Sequence, residues 1–197
     1  ARQAYNQFMY ELTIRGKTAK NLGGLVNYAG ITSGTFAADG TGASTFWADK
    51  TPALIVRDIN SLLLGIWTGS KQVEMADTLL LSPTDATYLA QTPYSSTTME
   101  TILSFVQKTN IYTLETGRSL TIRTVRGLEN DGSGGVSRVV AYRNSEDVVK
   151  LHLPMPHRFL PVYQDGPLNF AIPGIFRTGG IEILQPLAFR YGDGASA

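Results

Sequence analysis

His152 and His157 are the residues whose chemistry would matter most in a chain without cysteine. An imidazole titrates nearest neutral pH, so either ring could act as a general base or a metal ligand. Their spacing supports neither role. Five positions across a proline match neither one face of a helix nor one face of a strand, and no acid adjoins them in sequence. Glu146 and Asp147 are neighbours, which sends them to opposite faces of a strand or leaves both in water on a turn. Ser33, Ser44 and Ser133 lack the strained strand-to-helix turn that exposes a nucleophilic serine.

Gly16-Lys17-Thr18 has the ending of a phosphate-binding loop, yet Glu11 stands where that loop needs its first glycine, and no strand precedes it. Gly40-Thr41-Gly42 lacks the third glycine and the following helix of a dinucleotide fingerprint. Glu129-Asn130-Asp131-Gly132 offers oxygens and a glycine, but an EF-hand aligned on Gly132 puts its first ligand at Gly127 and its closing acid at Arg138. Arg123, Arg126, Arg138 and Arg143 could form a modest basic edge, with salt bridges to a neighbouring chain as plausible as nucleic-acid contact. The expectation is therefore no catalytic, cofactor-binding or metal-binding residue, no cofactor, no small-molecule substrate, and a chain that is not an enzyme. An enzyme using His152 and His157, with Glu146, is the alternative.

Composition narrows the classes further. The chain has 197 residues, 43% hydrophobic and 17% charged, with a formal net charge of +1. That is enough chain for a sizeable core, and too little positive charge for a dedicated nucleic-acid binder. No apolar run approaches the ~20 residues of a membrane span. The sequence opens at Ala1 within a helical pattern, and the expectation is that an N-terminal portion is missing.

The element that must position everything else is Thr51 to Asn110. Thr51 and Pro52 suit a helix start, and Leu54, Ile55, Ile59, Leu62, Leu63 and Ile66 recur at helical spacing up to a stop at Gly69. Thr78 to Leu81 predicts a buried strand at the centre of a sheet. Ser82-Pro83-Thr84-Asp85 predicts a capped second helix. Thr97 and Glu100 suggest a capping box for a third helix carrying Met99, Ile102, Leu103, Phe105 and Val106 to Asn110. On either side, residues 3–20 predict a helix loosened at Gly16 and residues 32–45 a loop with almost no charge. Residues 111–114 and 120–125 predict short strands, 129–135 a loop tip, and 137–142 with 148–153 a strand pair. Prolines 154, 156 and 161 predict an extended connection without ladders. A terminal strand system broken at Pro186 closes the chain. Tyr28, Phe36, Phe46, Trp47, Tyr94, Phe159, Tyr163, Phe170, Phe176 and Tyr191 are more aromatics than a small monomer easily covers, which favours self-assembly.

Three segments in order carry a resemblance. These are a helix leading into Gly23-Gly24-Leu25-Val26-Asn27, the helix–strand–helix unit holding Asp77-Thr78-Leu79-Leu80-Leu81-Ser82-Pro83, and the closing GGIEILQPLAFRYGDG of residues 179–194. Together they resemble the major capsid proteins of tailed bacteriophages, whose fold is shared with encapsulin shells. The resemblance implies an α+β fold: an axial domain, a sheet flanked by helices, over residues 49–165, and part of a peripheral domain over 1–48 and 166–197. It implies a spine-helix remnant with long strands, the last at 181–194, and no N-terminal arm or extended loop. The implied function is a structural subunit that self-assembles into pentamers and hexamers of an icosahedral shell around packaged double-stranded DNA. Its partners would be itself, other capsid proteins and, indirectly, the DNA, with no membrane. It would reside in the virion after assembly in the host bacterial cytoplasm. Loops 92–98 and 129–135 would point to the ring axis. A tail or neck protein is a further alternative.

Overall fold

The computed structural model describes residues 2–95 and 97–196. Its helices in chain order are α1 (Arg2–Arg15), α2 (Pro52–Gly69), α3 (Pro83–Gln91), α4 (Ile102–Lys108) and α5 (Ile111–Thr116). The chain forms two compact units. One holds Gly30–Val148 with Leu184–Ala197, the other Ala1–Ala29 with Val149–Ile183.

The first unit is built on a five-stranded sheet in the order Ser33–Thr35, Phe189–Asp193, Arg138–Tyr142, Thr78–Leu81, Thr121–Thr124. The two outer pairs are parallel and the two inner pairs antiparallel. Leu79 and Leu81 share a buried cluster with Val139 and Ala141, and α2 adds Ile55, Ile59, Leu62, Leu63 and Ile66 to it. This is the period-2 face of a sheet meeting the 3.6-period face of a helix. Leu80 and Val140, facing the other way, are also buried. Burial on both faces explains why Thr78–Leu81 reads as a continuous apolar run.

The second unit joins α1 to a set of antiparallel ladders. Leu25 and Val26 donate their backbone N–H groups to Thr13 and Ile14 carbonyls beside the end of α1. Gly16, at φ 71°, ends α1 and pairs with Gly23. A side chain at Gly16 would lie 2.2 Å from the Leu22 carbonyl oxygen, so the site excludes any larger residue. Val149–His152 pairs with Gly180–Ile183, Met155–Phe159 with Gly174–Arg177, and Tyr163–Gln164 with Phe170–Ala171. The last two ladders form one long hairpin whose tip is closed by the Asp165 N–H donating to the Asn169 carbonyl.

Several local expectations change. Thr51 precedes α2 as its N-cap but makes no side-chain capping bond, so Pro52 carries that start; Ser82 does cap α3, accepting from the Asp85 N–H at 3.0 Å. The expected Thr97–Glu100 capping box is absent. Thr98–Thr101 pairs with Pro93–Ser95 as a hairpin, Thr101 caps α4, and Glu100 accepts from Lys108 Nζ at 2.8 Å. Met99 consequently stands fully exposed instead of lining a helix face. Ser96, within the expected 92–98 loop, lies outside the described residues, as does Ala1.

Residues 111–114 are helical instead of extended. The buried Asn110 side chain accepts from the Thr113 N–H at 2.9 Å and donates to the Val106 carbonyl at 2.7 Å, and Gly117 closes α5 in the left-handed region. Two strong end signals override the β-branched content of Ile111 and Thr113. The strand of 78–81 is internal but one place from the sheet edge. Arg138–Tyr142 and Val149–His152 do not pair with each other; they find partners in different units. Prolines 154, 156 and 161 do not prevent a ladder, because a register shift between Met155 and Arg158 absorbs Pro156. The compact units part at 29/30, 148/149 and 183/184. Phe189–Asp193 is hydrogen-bonded inside the five-stranded sheet.

Replacing Asn110 by alanine is expected to cost about 1–3 kcal/mol in denaturant unfolding, since one side chain satisfies groups on both α4 and α5. Met99→Ala is expected to change stability by less than about 0.5 kcal/mol.

Candidate functional site

The residues singled out for chemistry are dispersed and have structural partners. His152 Nε2 lies 2.7 Å from Glu182 Oε2 across the Val149–His152 and Gly180–Ile183 ladder. Sequence could not foresee that acid, thirty positions away, because only strand pairing brings it near. Both side chains are about half exposed. His157 is instead an aromatic packing residue, 5.0 Å from the Tyr5 ring and 4.7 Å from Phe159. Lys17 lies over the Phe8 ring, and Gly40 and Ser44 close a backbone turn. Gly132 closes a second turn with Val136, and no group of acids and histidines among the described residues could hold a metal.

The expected basic edge is largely neutralised within the chain. Arg138 reaches Asp193 through Nε at 2.7 Å and Nη2 at 2.9 Å, a two-pronged bond that also fixes the 129–135 loop because the Ser133 N–H donates to the same carboxylate. The Asp193 hydrogen bond pushes the Arg138 pKa up. Arg143 pairs with Glu74 at 3.0 Å and with Asp147, whose carboxyl is held below its ordinary range first by Ser145 and also by Arg143. Arg123 stands exposed on the edge strand.

A second charge cluster escaped sequence reading altogether. The Lys50 side chain is wholly shielded from solvent, with Nζ 2.5 Å from Asp58 Oδ2 and 3.3 Å from Asp39 Oδ1. Arg57 pairs with the same two acids. Asp58 and Arg57 lie on α2, so these bonds pin the 32–45 loop, through Asp39, to the helix. The network explains a lysine that looks like a surface cation in sequence, since a buried ammonium requires counter-charges.

The exposed apolar residues show a pattern instead. Leu160, Val162, Tyr163, Leu168, Phe170 and Ile172 all lie on the long hairpin or its connections, and Leu168 is 92% exposed. Its base is anchored, with the Phe176 ring 4.9 Å from Tyr5 and 5.6 Å from Phe8 of α1. Of the aromatics expected at interfaces, Phe36, Trp47 and Tyr191 are core, whereas Phe159, Tyr163 and Phe170 are exposed. An apolar ladder carrying no convergent ionisable groups can bury surface against another protein but cannot perform acid–base chemistry.

A sequence profile described as "Major capsid protein" matches residues 1–195. The chain belongs to the major capsid protein family. Solved structures agree on the fold. The capsid of Myoviridae phage XM1 superposes with a TM-score of 0.79 at 20% identity, covering 98% of this chain and 62% of that one. A virus-like particle from Pyrococcus furiosus gives 0.51 at 15% identity, over 84% of this chain and 57% of that one. A phage-related protein from Bordetella bronchiseptica RB50 gives 0.50 at 13% identity, over 94% and 60%. No curated protein matches the sequence. This capsid-family chain thus spans about three-fifths of the length of the solved chains it resembles. Its α+β architecture is the phage capsid fold, and the family role is structural. No helix among its described residues is long and apolar enough to cross a membrane.

The Arg57 hydrogen bond is the chief cause holding the Asp39 carboxyl below its ordinary 3.8. The stabilisation from this pair is complete above pH 3.8 and is lost as pH falls through the lower folded value. In acid titrations followed by circular dichroism, Asp39→Asn is expected to be less stable than the unsubstituted protein above pH 3.8, the gap closing on further acidification. Asp193→Asn is expected to cost about 1.5–3 kcal/mol, by depriving a shielded guanidinium of its charged acceptor.

Proposed function

We propose that the chain is the shell-forming subunit of a phage capsid, assembling into pentamers and hexamers that tile a closed shell around packaged double-stranded DNA. The observation that carries this reading is the long hairpin. It places Val162, Tyr163, Leu168, Phe170 and Ile172 in water, with its base held by α1. An anchored apolar arm of this kind gains by burial against a second copy, at roughly 1.5–3 kcal/mol for each large side chain fully covered. Contact between the arm and a different patch of the next subunit is heterologous, which is the geometry that closes rings.

In this reading the five-stranded unit is the axial domain, and α1 with the hairpin is part of the peripheral domain. Loops 92–98 and 129–135 project toward the ring axis, the second stiffened by Arg138 and Asp193. A net charge of +1 suits a container lining, because strong phosphate binding would impede packing and release of DNA. Other capsid proteins would be its partners in the virion, and assembly would take place in the bacterial cytoplasm. The enzyme alternative is left with one exposed His152–Glu182 pair, and family membership weighs against a tail or neck protein.

Electron microscopy of particles formed by the full chain tests the reading. The double substitution Leu168→Asp with Phe170→Asp is expected to lower particle yield at least tenfold while the isolated subunit melts within a few degrees of the unsubstituted protein. His152→Gln is expected to leave the yield unchanged. Normal particles from the double variant would remove the hairpin from the assembly contact.

A further inference from the structure

We propose that the cleft in front of Arg190 is a receptor site for a single oxyanion, a carboxylate or phosphate group. The cleft, of about 320 Å³, lies in the five-stranded unit between α2 and the Ser33–Thr35 and Phe189–Asp193 strands, and Thr35, Arg57, Ser61, Arg190 and Gly192 are among the residues that line it. Arg190 and Gly192 alternate with the buried Phe189, Tyr191 and Asp193, so they share the strand face that meets α2. A long cation can occupy that face because position 65 of α2 is glycine. A Cβ there would stand 2.4 Å from Arg190 Nη1 and 2.5 Å from Cζ, so the guanidinium rests on the helix backbone itself.

The Arg190 side chain makes no hydrogen bond or ion pair among the described residues. Every other charge around the cleft is engaged: Lys50 and Arg57 both bind Asp39 and Asp58. Three cations against two carboxylates leave one positive charge, and it falls on a half-buried planar fork with five donors and no acceptor. Such a fork matches a carboxylate or phosphate in two-pronged geometry. Thr35 and Ser61, which also line the cleft, carry hydroxyls able to donate. A DNA duplex is a poor occupant, since its regular phosphate spacing rewards several uncompensated cations in a row and the cleft offers one. The oxyanion therefore comes either from a free ion or from an Asp or Glu side chain of a second copy.

The test is a titration of the dissociated full chain with inorganic phosphate and, separately, with acetate, followed by NMR at the Gly34, Thr35 and Gly192 amides and the Arg190 Nε–H. Saturable shifts are expected. Arg190→Gln is expected to weaken binding at least tenfold. Gly65→Ala is expected to do the same at unchanged net charge, because it displaces the guanidinium, while its melting temperature stays level or rises with the better helix former. Absence of saturable shifts, or affinity unchanged in either variant, would overturn the site. Adding phosphate during assembly separates the sources. Suppressed particle formation assigns the cleft to a neighbour's carboxylate, and normal particles that still bind phosphate assign it to a free ion. The titration needs no particle, so the site can stand or fall apart from the shell reading.

Discussion

The burial of Leu79, Leu81, Val139 and Ala141 beneath α2 is the interaction on which the five-stranded unit depends. Strand register follows from it, because a slip of one residue would turn each of these side chains to the other face. Once register is fixed, the positions of the ion pairs are fixed too. Asp193 reaches Arg138 because Phe189–Asp193 and Arg138–Tyr142 are paired end to end. Asp39 and Lys50 meet Asp58 and Arg57 because α2 lies on the sheet face. The charged network is thus a consequence of apolar packing, and its role is to hold loops that contain little apolar residue of their own.

The second unit distributes its apolar residues differently. Where α1 meets the hairpin base, Tyr5, Phe8, His157 and Phe176 pack as a cluster of rings. Farther along, the same ladder continues with large side chains that nothing in its own unit covers. A two-stranded ribbon has marginal stability by itself, so a long one persists by virtue of an anchored base or a covering partner. Here the base is anchored and the far end is bare, an arrangement suited to a subunit completed by its neighbours. This links the fold of the chain to the structural role of its family.

Much of this was legible in the residues, and what was not has a local explanation. The α2 pattern, the Thr78–Leu81 run and the Ser82 cap are short-range signals, and each holds. The Thr97–Glu100 pairing was a plausible helix start defeated by a hairpin with Pro93–Ser95, a contact that spacing within one helix turn cannot reveal. The β-branched content of residues 111–114 favours an extended segment, but the Asn110 and Gly117 end signals make it a helix. Prolines read as barriers were accommodated by a register shift, hiding the hairpin. The buried role of Lys50 and the bare guanidinium of Arg190 depend on side chains far apart in sequence, and only Gly65, an unexplained glycine inside a strong helix, left a trace.

Amide hydrogen exchange along residues 155–177, compared between isolated subunits and assembled particles, bears most directly on the idea of a subunit completed by its copies. Strong slowing at Tyr163, Gln164, Phe170 and Ala171 on assembly is the result this structure predicts. Exchange at those amides that is equally fast in both states would show the hairpin bare in the finished shell and contradict it.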